Sequence, residues 1–259
     1  MKTLKEKRNS AYYLNSLILH GNNKLLDYTD ESGNAFRYAQ FNTRPIEDCP
    51  FKSAGCSAVC YATKGNHCFP SVKLSRERSY NDSKRADFPS AMAYTIATEK
   101  TSARYKSATM LVRLHESGDF YSMQYLRKWL KIWTMTKDIE GLTTVFYTKS
   151  FPFFLKLTDA EAGKLNKLME SGKVVMNLSL DDTFTPEQWK AYHAMKKRFP
   201  SANTYYCTEH IKQTEHDNVC DCANCAKCGT CNKATGQKTV VKIHSASNAD
   251  MDTFRANIK

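Results

Sequence analysis

The apolar positions change their rhythm along this chain, and the change marks out a core. From residue 108 onward, short unbroken apolar and β-branched runs alternate with longer stretches in which apolar residues return every third or fourth position. Residues 108–114, 142–148, 174–180, 204–207 and 239–244 read as strands. Residues 121–133, 158–171 and 186–199 read as helices between them. Thr158 and Glu161 stand in capping-box relation, and Pro186 occupies a first helical turn. The strands lack polar alternation, which fits a sheet covered on both faces. Strand and helix at this spacing predict βαβ units, an α/β fold with a mainly parallel sheet, in a single domain over residues 1–259.

Before residue 108 the pattern is less regular. Residues 1–45 read as an N-terminal extension, with a short helix or strand over 12–19, a turn at Gly21-Asn22-Asn23 and a strand over 35–41 closed by Asn42 and Pro45. Residues 71–99 look helical, broken at Pro89. Arg76, Arg78, Lys84 and Arg85 make this the most basic helical stretch, a solvated face before it is a phosphate-facing one.

Composition narrows the class. With 41% hydrophobic and 25% charged residues, the chain has the balance of a soluble globular protein. No apolar run approaches the ~20 residues that span a bilayer, so no membrane partner is expected. The basic start lacks a small-residue cleavage site and does not read as a signal peptide, which points to the cytoplasm. The net charge of +12, from 38 basic and 26 acidic residues, makes nucleic acid the expected partner. No basic run exceeds three residues, so no dedicated basic arm is present.

Ten cysteines add chemistry. In a reducing compartment they serve metals or catalysis in preference to disulfides. Five fall between Val219 and Cys231, where Cys222, Cys225, Cys228 and Cys231 repeat every third residue. Such a run wraps an iron–sulfur cluster; zinc is the alternative, although zinc prefers paired ligands across a longer spacer. A second group, Cys49, Cys56 and Cys60, lies in C-P-F-K-S-A-G-C-S-A-V-C, with Cys68 a further thiol nearby. Three thiolates on a four-iron cube leave one iron open to a small ligand.

Polar residues gather where the predicted strands end: His115, Glu116 and Asp119; Thr148 and Lys149; Ser179, Asp181 and Asp182; Glu209 and His210; His244. In parallel α/β folds that edge holds the active site. His115, Glu116, Asp119 and Lys149 are the candidate catalytic groups. Ser117, Gly118, Ser179 and Asp181 are the candidate cofactor-binding ones. A divalent-metal nuclease centred on Glu116, Asp119, Asp181, Asp182 and His244 has the right oxygen ligands but no recognisable motif.

Several segments resemble a known family. G-C-S-A-V-C-Y-A after Cys49-Pro50, then R-L-H-E-S-G-D-F-Y-S, F-Y-T-K-S and N-L-S-L-D-D, with a late C-x2-C-x2-C run, are similar to phage "gene product eighty-eight"-type proteins over about residues 40–235. The succession is also similar in layout to radical S-adenosylmethionine proteins of the spore-photoproduct-lyase type. The resemblance implies a partial (β/α) barrel whose mouth carries a [4Fe-4S] cluster on Cys49, Cys56 and Cys60. It further implies that residues 115–119 meet the methionyl amine of S-adenosylmethionine. Two features depart from that pattern: the cysteines are spaced C-x6-C-x3-C instead of C-x3-C-x2-C, and Glu116-Ser117-Gly118-Asp119 replaces Gly-Gly-Glu. The function expected is an iron–sulfur enzyme acting on nucleic acid or its precursors. Cys222, Cys225, Cys228 and Cys231 would hold a second cluster. The competing expectation is a non-enzymatic nucleic-acid-binding protein stapled by iron–sulfur or zinc.

Overall fold

Parallel strand pairing, one strand after the next, runs through most of the chain. The structure, a computed structural model, describes residues 2–20, 26–208, 218–220, 230–243 and 247–258. Helix α1 (Leu4–Arg8) precedes strands β1 (Tyr28–Thr29) and β2 (Ala35–Phe41). Next come α2 (Ala54–Ala58), inside the early cysteine loop, then α3 (Pro70–Lys84) and α4 (Phe88–Lys100). The regular part follows as β3 (Thr109–Leu114), α5 (Met123–Thr136), β4 (Leu142–Thr148), α6 (Phe151–Leu155), α7 (Asp159–Glu170), β5 (Val174–Asp181), α8 (Pro186–Arg198) and β6 (Asn203–Thr208). β7 (Asn218–Cys220), β8 (Lys238–Lys242) and α9 (Asn248–Arg255) complete the described elements.

The eight described strands form one sheet in the order β1-β2-β3-β4-β5-β6-β8-β7. Only β1 against β2 is antiparallel. The sheet curls into the partial barrel of an α/β fold. Its registers pair Phe41 with Leu114, Leu114 with Phe146, and Asp181 with Cys207, so the strand ends share one rim. No described helix is long and apolar enough to cross a membrane.

The two faces of the sheet differ. On one, Phe41, Met110, Val112, Leu114, Phe146, Met176 and Leu178 pack under α4 to α8 in the main core. Helix α5 shows why it forms there: Ser122 caps it, accepting from the Tyr125 N–H, and Tyr125, Leu126, Trp129, Ile132 and Trp133 make one buried stripe. The inner face carries a smaller cluster of Tyr38, Leu111, Val145 and Val175, against which Ala234 packs. Asn177 Nδ2 and Asn203 Nδ2 donate to the carbonyls of Cys231 (3.1 Å) and Lys233 (2.8 Å), so the segment around them lies across this face.

Several sequence expectations shift. Residues 12–19 form neither helix nor strand; Ile18 makes one isolated bridge to Gln40. The apolar residues there, Tyr13, Leu14 and Leu17, are buried by packing, and the Tyr13 hydroxyl donates to Glu99 at 2.9 Å. The parallel part of the sheet begins at Ala35, since β2 pairs in parallel with β3. Arg76, expected on a solvated helical face, is buried and donates to the carbonyls of Ala62 and His67 at 3.1 and 3.3 Å. It ties down the loop that follows the early cysteines.

Candidate functional site

The early cysteine loop folds over the rim and is fastened to two strand ends. At β5, Ser53 caps α2: its Oγ accepts from the Cys56 N–H at 3.0 Å and donates to Asp181 Oδ2 at 2.5 Å. The Gly55 N–H donates to Thr183 Oγ1 at 2.8 Å, and Thr183 Oγ1 donates to Asp181 Oδ1 at 2.5 Å. At β3, the Asp119 N–H donates to the Asp48 carbonyl at 3.1 Å, and the Tyr61 hydroxyl donates to the Glu116 carbonyl. The Phe254 ring of α9 closes the loop from outside; a Cβ on Gly55 would stand 2.5 Å from it. α2 therefore sits in a slot that accepts only glycine at that point.

Beneath the loop lies a buried ion pair. Lys149, just past β4, donates from Nζ to Ser179 Oγ at 2.9 Å and stands 3.2 Å from Asp181 Oδ2. Burial works against its charge, but Asp181, with Cys56 and Cys207, outweighs burial and raises its pKa. Burial likewise acts to raise Asp181, yet Lys149, Ser53 and Thr183 hold the carboxyl below its usual range. Both groups are charged, and each is satisfied by the other and by hydroxyls.

The three loop thiols, all partly buried, share this neighbourhood. Burial first, then Asp119, Cys56 and Cys60, push the Cys49 thiol up. Cys56 is raised by burial and by Asp181, Cys60 and Asp119, against Lys149. Cys60 is raised by burial, against Arg76 and Lys64. The bare thiols therefore hold their protons, and a metal must displace them on binding. Cys68 is exposed and donates to the Thr63 carbonyl at 2.9 Å, outside the group. Cys207, paired in register with Asp181, faces the same ion pair and was not singled out by spacing.

Soft thiols suit iron or zinc. At a Zn–S length of about 2.3 Å, the thiolates of one zinc tetrahedron stand about 4 Å apart. Among the described residues no three His, Cys, Asp or Glu side chains gather for one ion. A cubane spreads its thiolates over separate irons and asks for less convergence. Cys231 lies on the inner face, its carbonyl held by Asn177. Cys222, Cys225, Cys228, Glu209, His210 and His244 lie outside the described residues.

The other rim residues divide by what they touch. Asp119 Oδ1 accepts from Thr148 Oγ1 and the Phe120 N–H, both at 2.7 Å, and Oδ2 accepts from the Lys149 N–H at 2.8 Å. Burial pushes this carboxyl up against those bonds, and it stitches β3 to β4. Ser117 Oγ donates to the Thr43 carbonyl at 2.7 Å, and Gly118, at φ +82°, packs directly on Thr43. Glu116 is partly buried, with Asn42 Nδ2 at 3.4 Å from its Oε2. Asp182 accepts from Tyr206 and Thr208 at 2.5 and 2.8 Å. Ile46 and His115 are the positive-φ non-glycine residues among those described, at φ +66° and +58°, and both flank this rim. Strain of this kind collects at functional sites.

His115 turns away from the mouth. Its Nε2 lies 2.9 Å from the Tyr125 hydroxyl, and its ring meets Phe120 edge-on inside the main core. Burial, then Arg113, lower its pKa to about 3. The unfolded chain takes up that proton near the ordinary value of about 6.5, so stability falls as pH drops from there toward the folded value, by about 1.4 kcal/mol per pH unit. Urea unfolding followed from about pH 6 to about pH 4 should show this slope, and His115→Asn, which tolerates the left-handed backbone, should remove it. An equal slope in the variant would put the ring in water.

Fold and rim together define a parallel α/β half-barrel protein with a cysteine loop fastened over its C-terminal strand ends. The chain belongs to the gene product 88 family of phage proteins, whose profile matches residues 16–234. That span takes in the cysteine loop, strands β1 to β7 and the late cysteine run. No curated protein and no solved structure matches the chain, and the layout likeness to radical S-adenosylmethionine proteins has no match behind it.

Proposed function

We propose that this chain is an iron–sulfur protein in which Cys49, Cys56 and Cys60 hold a [4Fe-4S] cluster at the mouth of the half-barrel, and that it acts there on nucleic acid or its precursors. The observation that carries the reading is the loop's attachment to the rim: Ser53, bonded to the Cys56 N–H, donates to Asp181, and Asp48, next to Cys49, accepts from the Asp119 N–H, so the loop bearing the three thiols is fastened to the ends of β3 and β5. A cluster bound by three thiolates supplies an open iron and a transferable electron. The protein's own part is to place and enclose it. Lys149 sets a fixed positive charge near Cys56, which offsets the negative charge of thiolate ligands. Asp119 keeps the β3 and β4 ends together, and the loop fastened through Ser53 and Thr183 walls off one side.

S-adenosylmethionine is the co-substrate that the layout suggests. Glu116, partly buried at the end of β3 beside Asn42, would orient its ammonium group, while Asp119 holds the β3 and β4 ends through two N–H groups and a hydroxyl. The test is anaerobic reconstitution of the whole chain with ferrous iron and sulfide. Wild type should turn brown and retain both elements after desalting, while a Cys49→Ser, Cys56→Ser, Cys60→Ser variant should lose the share held by this loop. Equal iron and sulfide in the two proteins would remove the loop from the reading.

A further inference from the structure

Arg113 stands near the end of β3, on the inner face of the sheet, two residues beyond Leu111. Its guanidinium carbon lies 3.7 Å over the Tyr147 ring, and Tyr147 meets Tyr205 edge-on at 4.7 Å. Among the described residues it has neither an ion pair nor a hydrogen-bond acceptor, and its Nε is buried with no partner. Neighbouring cations are treated differently. Arg44 has Asp48 at 2.7 Å, Lys149 has Asp181 at 3.2 Å, and Arg76 has two carbonyls.

A half-desolvated guanidinium without acceptors is costly to keep, and stacking on tyrosine offsets only part of that cost. Stacking also fixes the plane of the group and leaves its rim of N–H donors free, the fork that fits two oxygens of one oxyanion. Arg113 and Arg76 both act on the Tyr61 phenol, with Glu116 the carboxylate acting there. The chain as a whole carries +12. The wall beside Arg113 is aromatic, with Tyr38, Tyr147 and Tyr205 on the same face.

We propose that the inner face between Arg113 and the cysteine loop is a subsite for a phosphorylated, ring-bearing ligand of the nucleotide class, with Arg113 receiving the phosphate. This names the substrate class of the site described above, but it stands on Arg113 and Tyr147 and does not require iron on the cysteines.

The experiment is equilibrium dialysis of the full chain against adenosine monophosphate, adenosine and succinate, with thermal unfolding of each ligand-free variant. Wild type should bind the monophosphate at least about tenfold more tightly than adenosine, the value of one charge-assisted fork. Arg113→Met should bind the two equally, and should unfold without ligand at the same or a higher temperature, because a buried charge lacking a partner has been removed. Arg113→Lys, which keeps the charge and loses the fork, should fall between. Equal binding of monophosphate and adenosine by wild type, binding of neither, or an undiminished preference in Arg113→Met would overturn the proposal. So would Arg113-dependent binding of succinate alone, or an Arg113→Met protein less stable than wild type. None of these results depends on metal content, so a colourless protein would fail the cluster and leave this subsite standing.

Discussion

Lys149→Met should lower the folding free energy by about 3–5 kcal/mol, because it strands the Asp181 carboxylate in a buried site. The ammonium is 8% exposed and the carboxylate 3%, so water cannot replace the lost partner. Asp181 also organises the cysteine loop through Ser53 and Thr183, and the damage reaches α2 through those bonds. Adding Asp181→Leu to Lys149→Met should recover part of the loss, since removing both charges is far less costly than removing one. Urea unfolding of the single and double variants measures this. A loss below about 1 kcal/mol in Lys149→Met would show a solvated pair of the surface kind.

Gly118→Ala has the second large effect. A Cβ there would stand 1.9 Å from Thr43 Oγ1 and 3.0 Å from the Thr43 carbonyl carbon, at a backbone φ of +82°. Left-handed geometry and overlap together should cost about 2–4 kcal/mol. Thr43→Ala in the same chain should return part of it, because the nearest clash is with the hydroxyl, while the close carbonyl remains. Thermal unfolding of the pair measures the coupling. An unchanged melting temperature in Gly118→Ala would mean that the turn from β3 into Ser117-Gly118-Asp119 is not held against Thr43.

How much of this was legible follows from the physics of each part. The strands from β3 to β6 were plain because parallel strands buried on both faces have no polar face to interrupt them. α7 and α8 announced themselves through Thr158/Glu161 and Pro186. α6, an all-apolar single turn F-P-F-F-L, has no periodicity to read. The rim itself was visible, because Asp119 and Lys149 follow strands and Ser179 and Asp181 close one. Their division of labour was not. Ser53 meets Asp181 across 128 residues, a contact that no local pattern encodes. His115 looked catalytic beside Glu116, yet its positive φ swings the ring into the aromatic core. Arg113 falls inside a stretch whose pattern marks only a strand, and its lack of an acceptor appears only once its neighbours are in place.

The central claim is that the thiols over this rim bind iron together with inorganic sulfide. Metal and acid-labile sulfide analysis of the protein purified without oxygen tests it most directly. The account predicts iron and sulfide in matching amounts, falling when Cys56 is replaced by serine. Stoichiometric zinc without sulfide, or a metal content indifferent to Cys56, would contradict it.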